Sequence, residues 1–482
     1  MILDLKPYPE MKDSGLLWLG AIPEHWDIKR GKAIFRCIDI RSSNGKEELL
    51  TVSSNRGVVP RSSATVTMFK AESYIGYKLC WSSDLVINSL WAWAGGLGVS
   101  QYHGIVSSAY GVYRLRPPYE DYAAFIHELV RSTPFNWELK VRSKGIWISR
   151  LQLTDEAFLG APFPLPPAHE QRAIVRFLNY VDQKIGRYIR AKQKLVKLLE
   201  EQKKTIIHSV ITRGLDPKVP LKPSAVEWLG DVPAHWEEMF LGRCLRRIDQ
   251  GWSPVAAEGE ISSDQWAVLT LSSVKKGAFD PFAIKPIPTS ARIPDGIEIK
   301  NGDLLLTRSN TRDLVGDACI VGSTRPKTVI SDLIYRLTPE VTFFEPKYLM
   351  FQLISPHGRR QIEQDARGSS GTMPKISQRH IKSWRVLVPP IEEQRKIVAA
   401  IENVTRRIFE AVNRTQKEIG LLREYRTRLI SDVVTGKLDV REAAAQLPQE
   451  VEKKEVFGEF EEKTEDEEEV FDDVDAAEET EA

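Results

Sequence analysis

A nine-residue phrase near the start of the chain, WLGAIPEHW from Trp18 to Trp26, returns 210 positions later as WLGDVPAHW from Trp228 to Trp236. This duplication constrains the fold more than any bulk property, because a repeated sequence implies a repeated structural unit. The match extends backwards: eight of 16 positions agree between MKDSGLLWLGAIPEHW and LKPSAVEWLGDVPAHW. A second repeated block lies at an offset of 223. There LPPAHEQRAIVRFL from Leu165 faces VPPIEEQRKIVAAI from Val388, and the match runs on to VITRGLD (Val210–Asp216) against VVTGKLD (Val433–Asp439). The segment before the second block is therefore 13 residues longer than its counterpart. The plan is strap, domain, helix, strap, domain, helix, and the N-terminal strap can fill the place that the second helix leaves open.

Each Pro-Pro-x-x-Glu-Gln-Arg block reads as a helix start. Proline suits the first turn, and Glu170 and Glu393 sit where the helix dipole favours an acid. Gly214 and Gly436 are candidate C-caps. Between these signals a 4-3 apolar spacing picks out Ile174, Leu178, Val181, Ile185, Leu195, Leu199 and Ile206 in the first copy. In the second it picks out Ile397, Ile401, Val404, Ile408, Leu422, Tyr425 and Leu429. Such a 3.5-residue repeat is a coiled-coil seam, so the two helices are expected to pack on each other.

The expected organisation is α+β: an N-terminal strap (1–26), a mixed α/β domain (27–164), a helix (165–214), a linker with the second strap (215–236), a second mixed α/β domain (237–387), a second helix (388–436), a short end of the repeat (437–447) and an acidic tail (448–482). The two domains differ in sequence but share landmarks. DLVINS (Asp84–Ser89) parallels DLLLTRS (Asp303–Ser309), and YGVYRLRP (Tyr110–Pro117) parallels LIYRLTP (Leu333–Pro339). No apolar run approaches the length of a membrane span, and the first residues do not read as a signal peptide. Cys37, Cys80, Cys244 and Cys319 are scattered, which argues against a disulfide framework or zinc site and fits a reducing cytoplasm.

The formal net charge of +1 conceals a division. From Pro448 onward 17 acids face 3 bases, whereas the preceding residues carry 64 bases and 49 acids. A basic body with an acidic tail is the charge pattern of a polyanion-binding protein. Catalytic motifs are weak by comparison. Arg116-Pro117-Pro118-Tyr119 only resembles an amino-methyltransferase signature, because arginine cannot accept the bond that the target amino group must donate. Ala94–Gly98 lacks the context of a dinucleotide loop and reads as a flexible turn. Asp295, Glu298 and Lys300 in PDGIEIK resemble a compressed metal-dependent nuclease motif, but the spacing better suits a surface hairpin. His25 and His235 read as packing residues of the straps rather than metal ligands.

Two different domains on one repeated frame suit the reading of two different sequences on a duplex, with Lys and Arg on phosphates and side chains at base edges. Two pairs of polar, basic loops are candidates. One pair follows the matched strands (Asn88–Gly96 and Thr307–Asp313), and the other precedes the repeated helices (Lys140–Gln152 and Ala366–His380). The candidate DNA-binding residues are Asn88, Ser89, Trp91, Arg142, Lys144 and Arg150 in the first domain. In the second they are Arg308, Asn310, Arg312, Arg367, Lys375, Gln378 and Arg379. No catalytic and no metal-ligating residue is assigned. A metal-dependent nuclease and a coiled-coil scaffold without a DNA role are the competing readings.

With both straps, both Pro-Pro-x-x-Glu-Gln-Arg helices and both variable domains in place, residues 1–445 resemble the specificity subunit of a type I restriction–modification system. The resemblance implies two target-recognition domains that read the halves of a bipartite DNA site. It further implies an antiparallel coiled coil that sets their spacing, in a circular, pseudo-two-fold arrangement. It implies no cofactor on this chain. Two modification subunits would carry S-adenosylmethionine and methylate adenine N6, and restriction subunits would add ATP- and Mg-dependent translocation and cleavage. Ala225 departs from the pattern, standing where the first strap has Gly15, and the acidic tail has no place in it.

Overall fold

The computed structural model describes residues 5–54, 56–64, 71, 73–145, 151–226, 229–254, 261–262, 264–275, 277–366 and 373–448. Trp228, Arg150, Arg367 and the acidic tail from residue 449 lie outside the described residues. The chain divides into two compact units. Unit 1 comprises Met1–Lys192 with Lys417–Ala482, and unit 2 comprises Gln193–Gln416. Strands and helices both contribute to each, as an α+β chain requires. Two helices are far longer than the rest: the central helix Ala168–Arg213 (46 residues) and the C-terminal helix Ile391–Val434 (44 residues).

In unit 1 the strap is a hairpin of Met11–Asp13 against Ala21–Pro23. Strand Asp27–Arg30 then pairs antiparallel with Pro162–Leu165, joining the two ends of the domain that lies between them. That domain holds a four-stranded sheet in the order Phe35–Cys37, Gly111–Leu115, Leu85–Ile87, Leu97–Val99. Helices Ala123–Val130 and Thr133–Arg142 contribute to the same core, with Pro134 in the first turn of the second where its missing N–H costs nothing. The core joins Phe35, Phe125, Phe135, Phe158 and Phe163 to Ile174, Phe177 and Leu178 of the central helix and to Leu429, Val433 and Val434 of the C-terminal helix.

Unit 2 repeats this plan with different residues. Hairpin Leu221–Pro223/Asp231–Pro233 precedes strand Glu237–Phe240, which pairs with Arg385–Val388. Its four-stranded sheet has the same connectivity: Leu245–Gln250, Ile334–Pro339, Leu304–Thr307, Ala318–Ile320. A three-stranded sheet, Ile284–Pro286, Ala267–Leu269, Thr328–Val329, has no matching sheet among the described residues of unit 1 and lies in the longer segment. Ile207 and Ile211 of the central helix share a core with Ile397, Val398 and Ile401 of the C-terminal helix.

The helix-start block is explained by what it holds. Glu170 is fully buried; it accepts from Trp26 Nε1 at 2.9 Å and from the Tyr8 hydroxyl, and bonds His25 Nε2 at 2.7 Å. Burial, and then the bond to Glu170, push the Tyr8 phenol well above its ordinary range, so it stays a neutral donor. In unit 2 Glu393 takes Trp236 Nε1 at 3.2 Å and His235 Nε2 at 2.8 Å. The neighbouring glutamines turn back on the prolines: Gln171 Nε2 donates to the Pro166 carbonyl at 2.7 Å, and Gln394 Nε2 to Pro389 at 2.9 Å. The repeated His-Trp and Glu-Gln are thus two halves of one clamp between strap and helix.

The strap of the same clamp also meets the segment that follows the C-terminal helix. In unit 1 the Asp439 amide donates to the Lys6 carbonyl at 2.8 Å, and the Arg441 guanidinium lies 5.0 Å from the centre of the Tyr8 ring. The strap therefore docks on the end of the C-terminal helix without a covalent link. Gly436, at φ +75°, leaves no room: a Cβ there would come 2.4 Å from Pro23 and 3.1 Å from Trp26. Its counterpart Gly214, at φ +74°, faces Trp236 at 3.3 Å. We expect Gly436→Ala to destabilise unit 1 by about 3 kcal/mol, since overpacking adds to the strain of positive φ. Gly230→Ala, at φ +73° with nothing near its Cβ, should cost only about 1 kcal/mol. Thermal denaturation of the two variants side by side checks the difference.

Two expected seam residues are not buried. Leu195 is 45% exposed and Tyr425 is 44% exposed. Beyond Ile185 the partly buried positions of the central helix include Ile189, Lys192, Val196, Leu199, Lys203 and Ile206. Lys192, Leu199 and Ile206 keep the expected 3.5-residue period, while the intermediate positions fall one residue further on, at Ile189, Val196 and Lys203, which leaves Leu195 exposed. Ile174, Leu178, Ile185, Ile397, Ile401, Ile408 and Leu429 are buried, and Val181, Val404 and Leu422 are half-buried. Within unit 1, Asp182 pairs with Arg426 and Lys192 with Glu418, so the two helix segments pass in opposite directions there.

The four cysteines are free thiols. Burial pushes those of Cys80 and Cys319 up to about 12, which keeps them protonated and unreactive.

Candidate nucleic-acid interface

The shared landmarks of the two domains are one ion pair between neighbouring strands. In unit 1 Arg114 grips Asp84 with Nε and Nη2, each at 2.7 Å, and Asp84 is buried. In unit 2 the matching Arg336 is buried and reaches Asp303 at 3.2 Å and Asp249 at 3.0 Å. Its remaining donors go to the carbonyls of Glu298, at 2.9 Å, and Gly296. The PDGIEIK segment is therefore a turn that caps Arg336, not a self-paired hairpin: Glu298 bridges Val329, and its carboxylate accepts from the Lys327 amide at 2.8 Å. The Lys300 amide donates to Asp303 at 2.9 Å.

Each gripped strand leads into a loop that a buried polar residue latches. Asn88 is fully buried; its Oδ1 accepts from the Leu90 amide at 3.1 Å and its Nδ2 donates to the Tyr110 hydroxyl at 3.2 Å. Thr307 holds the matching position, donating to the Leu314 carbonyl at 2.7 Å and accepting from the Asp317 amide at 3.0 Å. Asn88 thus shapes the loop from inside rather than facing solvent. The Ala94–Gly98 stretch is a tight turn that runs into the strand Leu97–Val99, with Gly95 at φ +86° and no room for a Cβ at Gly96 against Trp91.

The two loop types, separate in the sequence, are joined edge to edge in both units. In unit 1 the Leu153 amide donates to the Ser89 carbonyl at 2.9 Å, and Lys144 and Gln152 exchange backbone bonds of 2.9 Å. In unit 2 the Ile376 amide donates to the Arg308 carbonyl at 2.9 Å, beside the Ser309–Lys375 bridge. A short helix follows each junction, Asp155–Leu159 capped by Thr154 and Gln378–Ser383 capped by Ser377.

The candidates divide by what they face. Lys144, Arg312, Lys375 and Arg379 are exposed, and Gln378 is half-buried. Trp91 is half-buried and stacks on Trp93 at 5.8 Å, over which Lys140 lies at 5.6 Å. Trp93 and Lys140 thus join the candidate Trp91; two tryptophans two apart beside a basic helix end are their signal in the sequence. Ser89 donates to the Ala109 carbonyl at 3.2 Å. Arg142 is held by Glu138 at 2.6 Å. Arg308 lies 5.9 Å from the centre of the Tyr335 ring and donates to the Asp332 carbonyl at 3.2 Å. Asn310 is buried and accepts from the Thr311 amide at 2.8 Å. Among the described residues no group of three or more His, Cys, Asp or Glu side chains could hold a metal ion, and no helix is long and apolar enough to cross a membrane.

Comparison with known proteins bears on this arrangement. Residues 297–420 match the family described as type I restriction modification DNA specificity domain. The chain is 27% identical over 210 residues to the type I restriction enzyme EcoEI specificity subunit of Escherichia coli, covering 43% of this chain and 35% of that one. It is 23% identical over 312 residues to the EcoKI specificity subunit of Escherichia coli strain K12, covering 64% and 62%. The matches thus span about a third of the first relative and under two thirds of the second. A solved structure from work on complex assembly and conformational transition of the type I restriction–modification system superposes with a TM-score of 0.63 at 18% identity, covering 86% of this chain and 99% of that chain. At that identity the likeness is one of fold.

Proposed function

We propose that this chain, which belongs to the specificity-subunit family of type I restriction–modification systems, is the subunit that reads DNA and leaves the chemistry to its partners. Each recognition domain reads one half of a bipartite duplex site. The two long helices form an antiparallel coiled coil that sets the distance between the halves, in a circular, pseudo-two-fold plan. Two modification subunits bring S-adenosylmethionine and methylate adenine N6 at the site, and restriction subunits bring ATP- and Mg-dependent translocation and cleavage. The complex works on duplex DNA in the cytoplasm.

One observation carries this reading: both units build the same latched, edge-joined pair of loops, yet place different side chains on it. A constant frame with variable polar and basic side chains is what reading two different half-sites requires. Lys144, Arg312, Lys375 and Arg379 are exposed there.

The test uses the full chain with and without a modification subunit. Duplex binding should weaken steeply with salt, and methylation of a split site should appear only when the modification subunit is added. The double substitution Lys375→Glu and Arg379→Glu should weaken binding at least about tenfold and lower the salt slope by about 2, with the thermal unfolding curve unchanged. Methyl transfer by the chain alone, or unchanged binding by the double variant, would refute the reading.

A further inference from the structure

We infer that Arg308 and Asp332 of unit 2 together read one G·C base pair, the guanidinium taking guanine and the carboxylate taking the cytosine amino group. This rests on the DNA-reading role proposed above and assigns two residues within it. The first observation is placement. Chain segments lie edge to edge here: the Trp252 amide donates to the Ile330 carbonyl at 3.0 Å, the Arg308 amide to Leu333 at 2.7 Å and the Ile376 amide to Arg308 at 2.9 Å. Gly251 permits the first approach, since a Cβ there would come 2.1 Å from the Ile330 carbonyl oxygen. Arg308 and Asp332 therefore stand on a hydrogen-bonded edge rather than at a loop tip.

The second observation is how the two side chains are held. Arg308 Nη1 donates to the Asp332 carbonyl at 3.2 Å, and the guanidinium lies 5.9 Å from the centre of the Tyr335 ring. Among the described residues no carbonyl or carboxylate accepts from its Nη2. Asp332 Oδ1 accepts from the Ser253 hydroxyl, and the carboxylate has no ion pair among the described residues. An acid without a cation on an edge that meets a polyanion repels phosphate unless it finds a donor on the ligand. The cytosine amino group is such a donor, and guanine O6 and N7 beside it are the acceptors that an arginine fork takes. Hydrogen-bonding capacity is also in excess here. The hydroxyls of Ser309 and Ser331, 1% and 5% exposed, and Arg308 Nε are buried without a partner among the described residues. The third observation is the contrast with unit 1. There the residue after the latch is Ser89, which donates to the Ala109 carbonyl, also at 3.2 Å, and neither residue carries a charge. One place in the frame thus holds a charged pair in one unit and a neutral pair in the other, as two different half-sites require.

The test maps methylated adenines on a library of random-sequence duplexes, using the full chain with a modification subunit. The wild type should favour one G·C pair in one half-site at least about tenfold over the other pairs. R308M keeps an apolar stem over Tyr335 and drops every donor. D332N keeps an acceptor for the Ser253 hydroxyl and turns its amino group towards that of cytosine, donor against donor. Each variant should cut the preference at that same pair to under about threefold, with the other half-site read as before and the thermal unfolding curve unchanged. Relaxation at two different pairs, or discrimination kept by either variant, would overturn the inference and leave the DNA-reading role in place. So would half-sites that contain no required G·C pair. A wild type that methylates without sequence preference would sink the DNA-reading role itself, and the inference with it.

Discussion

Replacing Glu170 with alanine should lower the stability of unit 1 by about 3–4 kcal/mol. Three donors converge on this one carboxylate: Trp26 Nε1, the Tyr8 hydroxyl and His25 Nε2. Trp26 is 0% exposed and Tyr8 is 4% exposed, so neither finds water once the acceptor is gone. Each buried donor left unpaired costs about 1–3 kcal/mol. The matching change Glu393→Ala should cost only about 1–2 kcal/mol, because Glu393 is 26% exposed and the tyrosine contact has no counterpart in its hydrogen bonds. Urea denaturation followed by tryptophan fluorescence measures the loss, and hydrogen exchange over residues 21–30 and 231–240 assigns it to a unit. Equal losses in the two variants would contradict the clamp as described. Glu170→Gln, which keeps one acceptor oxygen, should recover about half of the effect.

Arg336→Ala should be at least as damaging, about 4–5 kcal/mol, and confined to unit 2. The guanidinium is 7% exposed and neutralises Asp249 and Asp303 while capping two backbone carbonyls. Its removal leaves two acids close together without a cation, and breaking a buried pair from one side typically costs about 3–5 kcal/mol. Lysine cannot restore the fork, so Arg336→Lys should recover little. Arg114→Ala is expected to cost less, about 2–3 kcal/mol, since Arg114 is 30% exposed and serves a single carboxylate. Chemical denaturation with exchange protection of Ile334–Pro339 as the local readout separates the two. If Arg336→Ala left that strand protected, the ion pair would not be what joins it to its neighbours.

The repeated phrases were legible as scaffold because they are local in sequence: a proline start, a glycine stop and an apolar spacing each act over one or two turns. The straps, the long helices and the mixed character of the domains follow from such signals. The matched Asp84/Asp303 and Arg114/Arg336 were visible as landmarks but not as partners, since strand pairing joins residues 30 or more positions apart. Of the expected seam residues Leu195 and Tyr425 are exposed, because burial at each position is set by the side chains packed against it, which a fixed spacing along one helix does not contain. Asn88 was taken for a surface reader on its residue type; its alignment with Thr307 between apolar strands was the clue that it lies inside.

Sequence alone determined that two phrases of this protein recur, where the signals that start and stop long helices lie, and that the residues before Pro448 are basic and those after it acidic. Tertiary structure decided what the repeated residues hold: Glu170 and Glu393 receive the strap tryptophans, and the N-terminal strap meets the segment after the C-terminal helix through Lys6 and Asp439. It also decided which loop residues face solvent, separating Lys144, Arg312, Lys375 and Arg379 from the latched Asn88 and the stacked Arg308. The physical reason is range. Propensity, capping and charge act between neighbours and can be read along the chain, whereas burial and hydrogen-bond satisfaction depend on groups that only folding brings together.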